Sequence, residues 1–69
     1  MSNQVTYYLV LHLDDGYGAN VGEFETLRHA NENVEYLMSV HDNIEAVSVH
    51  RVNTDLTVDV VSKTDRAAA

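Results

Sequence analysis

The hydrophobic period of this chain changes twice, and that change limits the possible folds more than any other feature. Over residues 5–13, VTYYLVLHL, the period is two. Val5, Tyr7, Leu9, Leu11 and Leu13 share one side, and Thr6, Tyr8, Val10 and His12 share the other. Alternation built from β-branched and aromatic residues predicts a strand with one strongly buried face. From about Glu23 to His41 the spacing becomes helical. Phe24, Leu27, Ala30, Val34, Leu37 and His41 recur every three or four residues, and Met38 and Val40 widen the stripe. Asn20 with Glu23 has the form of a capping box. Glu23 and Glu25 suit the positive end of the helix dipole and His41 the negative end, with Asp42-Asn43 as the stop. Between strand and helix, residues 14–22, DDGYGANVG, have the composition of a turn.

Period two returns over residues 44–52 and 56–62, which read as two strands around Asn53-Thr54-Asp55. Setting Val52 against Asp55 pairs Val49 with Val58 and Val47 with Val60. Val47, Val49, Leu56, Val58 and Val60 then share one face, a set that a one-residue slip scatters. The other face carries Ala46, Ser48, His50, Thr57, Asp59 and Val61, and Arg51 falls at the core rim beside Leu56. The predicted fold is α+β: a two-layer β-α-β-β unit, one helix on a three-stranded sheet. The split order 2-3-1 is favoured over pairing of the first strand with the second. Residues 1–63 form the domain, and 64–69, polar and then AAA, form a flexible tail.

Sixty-nine residues support one domain with a thin core. Domains this small often recruit a disulfide, a metal or a second copy. The chain has no cysteine, which excludes disulfides, thiolate metal sites and cysteine nucleophiles. No apolar run approaches the ~20 residues that span a bilayer, and MSNQVTYY lacks the marks of a signal peptide. A cytoplasmic location is the default expectation. The net charge is −7, and it is uneven. Residues 14–45 hold eight acids against Arg28 alone and account for all of it, whereas acids and bases cancel over residues 46–69. That field disfavours direct binding to nucleic acid or to anionic lipid.

Gly16, Gly18 and Gly22 form a G-x-G-x-x-x-G between strand and helix. A dinucleotide loop needs a helix N-terminus facing the phosphates. Here Asp14, Asp15, Glu23 and Glu25 flank that place, no lysine or arginine lies in the loop, and no Walker lysine follows. The glycines therefore read as turn residues. Asp14, Asp15, Asn20 and Glu23 are hard oxygen ligands, but their spacing matches no EF-hand loop. His12, His50 and Asp59 fall on the sheet face away from the helix, where a two-His-one-carboxylate site would need them to converge. The ordinary reading of that face is half-exposed side chains. No serine sits in a nucleophile elbow, and no carboxylate pair lies in an apolar pocket. The chain is read as non-enzymatic, with no cofactor and no metal.

Two surfaces remain as functional candidates. One is the sheet face opposite the helix, with Tyr8, Val10, His12, His50 and Asp59, a patch suited to self-association or a partner. The other is the acidic set Asp14, Asp15, Glu25, Glu32, Glu35 and Asp42, which has almost no basic companions. A field of one sign steers a basic partner. Carboxylates ~5 to 6 Å apart on a helix also approximate phosphate spacing. In size, charge and lack of an active site the chain resembles small acidic phage proteins that block host defences, such as anti-CRISPR proteins and other DNA mimics. The likeness is of type, with no shared motif. It implies an inhibitor or regulator that engages a basic protein, with nucleic-acid-binding proteins among the candidates. The order strand, glycine-containing loop, helix and hairpin is also similar to half of an ACT-like or ferredoxin-like regulatory domain. That resemblance implies a homodimer binding a small ligand or metal at its open sheet face or seam.

Overall fold

The computed structural model describes residues 5–66. The first alternating run forms β1, Thr6–Leu13, as its period predicts. Leu9 and Leu11 are buried, and Tyr7 and Leu13 pack beside them. The chain then departs from the predicted course. Only Asp14–Tyr17 is a turn, closed by the Leu13 amide donating to the Tyr17 carbonyl at 2.9 Å and the Tyr17 amide donating to Asp15 Oδ1 at 3.0 Å. Residues 18–24 are not a loop but a second strand, β2, Gly18–Phe24, antiparallel to β1. Ala19 and Val21 stand opposite Leu11 and Leu9; one residue is then inserted, and Phe24 stands opposite Tyr7. This β-bulge contains Gly22 at φ +78, the left-handed geometry that such a bulge asks of its first residue.

Because Phe24 belongs to β2, the helix starts later than the sequence stripe implies. It is α1, Leu27–Val40, capped by Thr26, whose hydroxyl oxygen accepts from the His29 amide at 3.1 Å. The expected Asn20–Glu23 capping box does not form, since both residues lie in β2. His41 is at the C-terminus as expected, with its amide donating to the Leu37 carbonyl. The stripe holds from Leu27 to Met38, whereas Val40 and His41, also expected on it, are exposed. Ala30 and Val34 are buried, and Leu27, Leu37 and Met38 pack against the core.

The last two strands are β3, Ile44–Val52, and β4, Val58–Asp65. The sheet order is β2-β1-β3-β4, antiparallel throughout. The chain is thus β-β-α-β-β with four strands, not β-α-β-β with three, and β1 pairs with β3 rather than with β4. The apolar faces explain the order. Leu9 and Leu11 stand opposite Val49 and Val47, so the most hydrophobic strands become neighbours at the sheet centre. There α1 covers Leu9, Ile44, Val47 and Val49. Each fully buried aliphatic side chain of this kind contributes roughly 1.5–3 kcal/mol.

The β3–β4 register also differs from expectation. The connection is five residues long, so Val52 stands opposite Val58 and His50 opposite Val60. Asp55 directs it by accepting from both the amide and the hydroxyl of Thr57. Leu56, Val58 and Val60 consequently leave the core and are exposed. Val61, the inserted residue of a second bulge, takes the inward position. Arg51 meets Asp59 instead of Leu56. Residues 64 and 65 belong to β4, and Arg66 is held by four hydrogen bonds to protein carbonyls, so this part of the expected tail is structured. Residues 67–69 lie outside the described residues.

Candidate functional site

The bulges and registers decide which side chains share a surface. Among the described residues no three of His, Cys, Asp or Glu converge as a metal site would require. The His12, His50 and Asp59 grouping separates for two reasons. His12 stands opposite Ala46 and His50 opposite Tyr8, four positions apart along the strands, or about 13 Å. Asp59 pairs with Arg51, which is in line with Tyr7, and so lies on the helix side of the sheet rather than the uncovered side. It accepts from Arg51 Nη2 at 3.1 Å and Asn53 Nδ2 at 2.9 Å. The Asn53 hydrogen bond and then the Arg51 guanidinium hold its carboxyl below the ordinary value. Asp55 is held low likewise, by Thr57. Both carboxylates are occupied within their own hairpin.

The three glycines serve three separate purposes. Gly16 turns the β1–β2 connection at φ +91, Gly18 is in β2, and Gly22 is in the bulge. None of them leads directly into α1, which starts at Leu27 behind its threonine cap. The local geometry is that of a hairpin, not of a phosphate loop.

The acidic set divides in space. Glu32 and Glu35 project from α1 into solvent. Glu25 lies just before the cap, at the far end of the helix from Asp42, and α1 is about 21 Å long. Asp42 follows the C-cap. Asp14 and Asp15 join it there because the Asp14 amide donates to the Asn43 carbonyl at 2.9 Å, tying the β1–β2 turn to the end of the helix. Of the six acids only Glu32 is in an ion pair among the described residues, with Arg28 at 3.4 Å. Arg66 is close to the Asp14–Asp15–Asp42 end, yet its guanidinium donates to the carbonyls of Met38, His41 and Ile44 rather than to a carboxylate.

The uncovered face of the sheet is a second surface. Tyr8 and His50 stack with ring centroids 5.0 Å apart and planes 13° from parallel. Val10, Val52, Val58 and Val60 are in the same alternating rows. Val58 and Val60, expected in the core from their alternation, belong here instead. The Asp55–Thr57 turn was the one signal that could have placed them. At the other end of this face His12 Nε2 lies 2.9 Å from Ser48 Oγ, beside an open depression of about 560 Å³ between Ala46, Lys63, Asp65 and Arg66. Lys63 pairs with Asp65 at 3.8 Å.

No helix of the described chain is long and apolar enough to cross a membrane. No family model, curated protein or solved structure matches this chain.

Proposed function

We propose that this chain is a non-enzymatic protein-binding module, an inhibitor or regulator that presents the carboxylates of α1 and the adjoining turns to a basic protein surface, as a nucleic-acid mimic does. The observation that carries this reading is that, among the described residues, Asp14, Asp15, Glu25, Glu35 and Asp42 form no ion pair. The placement of Asp42 argues against a stabilising role. It lies past the negative end of α1, where the helix dipole disfavours a carboxylate.

The test is an affinity capture from the source cell at ~50 and ~200 mM salt, using the wild type and a variant carrying D14K, D15K, E32K and E35K. The expected result is a basic partner held at low salt, released at high salt or by added duplex DNA, and lost with the variant. Equal recovery of that partner by both proteins would remove the reading.

A further inference from the structure

We propose that the uncovered face of the sheet is the seam of a homodimer, in which a second copy of this chain lays its own uncovered face around Tyr8, Val58 and Val60. The partition of charge selects a second copy as the occupant. Around this face Glu23, Glu45 and Asp65 stand against Lys63, two charges from neutral. The remaining five negative charges of the chain's −7 belong to the helix side, the turns and the hairpin loop, Arg66 included at the end of α1. Two strongly acidic copies therefore meet less repulsion through this face than through the helix side.

Exposure points the same way. Val58 is 49% and Val60 63% exposed on an edge strand, next to the half-buried Tyr8–His50 stack, so apolar surface remains for a partner to cover. The core is one layer deep, the situation in which small domains recruit a second copy. Area sets the strength. Four strands about 4.8 Å apart and eight residues long give a face of roughly 19 by 26 Å, or about 500 Å² per copy. Stacking would bury about 1,000 Å² in total, at the threshold for a specific interface, so the dimer is weak and forms with concentration. Two such sheets would pack about 10 Å apart with interdigitating side chains, each residue meeting its symmetry-related counterpart set.

Sedimentation velocity from about 1 µM to 1 mM tests this in the wild type, V60K and V40K. Val40 is an equally apolar control, 50% exposed on α1. The expected result is a monomer–dimer equilibrium in the wild type and in V40K, shifted at least tenfold toward monomer in V60K. Added salt should tighten it, because each copy carries −7. Amide NMR shifts on dilution should centre on Tyr8, His50 and Val58–Val60. A wild type monomeric over the whole range would overturn the proposal. So would a V60K dimer as strong as the wild type, or dilution shifts confined to α1. Salt acts in opposite directions here and on capture of a basic partner, so either reading can fail alone.

Discussion

At the scale of single residues, backbone conformation separates three glycines that look alike in sequence. Gly22 is at φ +78, and a Cβ there would meet the Phe24 ring carbons Cε2 and Cζ at 2.6 Å. Gly16 is at φ +91 with open space around it. Gly18 has ordinary backbone geometry, and its nearest neighbour, the Leu11 carbonyl oxygen, would be 3.5 Å from an added Cβ. Urea unfolding of the three alanine variants should therefore rank them. G18A should be within about 0.5 kcal/mol of wild type, G16A should lose roughly 1–2 kcal/mol, and G22A should lose more than G16A. Asp59 offers a pH test at the same scale. Its folded pKa lies below the ordinary carboxylate value because Asn53 and Arg51 bond the charged form. Its contribution is therefore complete above the unfolded value of about 3.9 and fades as pH falls through the lower folded value. D59N should be less stable than wild type at pH 7 in thermal melts, and the gap should close below about pH 4.

At the scale of elements, Arg66 joins the end of β4 to the end of α1. Its Nε donates to the Ile44 carbonyl at 2.7 Å, and its Nη2 donates to Met38 at 2.9 Å and His41 at 2.6 Å. The Met38 and His41 carbonyls lie at the negative end of the helix dipole, and α1 has no basic residue in its own last turn. R66A should lower stability by about 1–3 kcal/mol and speed hydrogen exchange in the last turn of α1, whereas R28A, which breaks only a solvent-exposed pair, should cost under about 0.5 kcal/mol. The strong elements were legible because their periods are long and unbroken: β1, the α1 stripe and β3 are where alternation or helical spacing places them. β2 was not legible. Gly22 interrupts its alternation after Ala19 and Val21, so Phe24 changes phase and joins the helical stripe by coincidence of spacing. Val58 and Val60 were misplaced because Asp55 and Thr57 lengthen the loop, which changes the strand's facing in a way that hydrophobicity alone does not encode. Asp59 moved the opposite way, to the helix side. The acidic set was visible as composition, but its division between the two ends of α1 depends on the Asp14–Asn43 hydrogen bond, a contact between distant residues.

At the scale of the whole molecule, eleven acids against four bases make the folded state self-repelling. Only three ion pairs offset this among the described residues, all solvent-exposed. Melting temperature should therefore rise between 20 and 500 mM NaCl for the wild type, and rise less for the charge-reversed variant, as read by circular dichroism. The sheet order has a different consequence. β1 and β2 form one hairpin, β3 and β4 another, and the two are zipped together only along β1 and β3. During synthesis β1 is made about thirty residues before β3, which pairs with its second edge. At about 5–20 residues per second, that edge stays unpaired for about 2 to 6 s. An open edge is a template for another chain, so the nascent protein is at its most adhesive in that interval, before a ribosome has delivered Val47 and Val49.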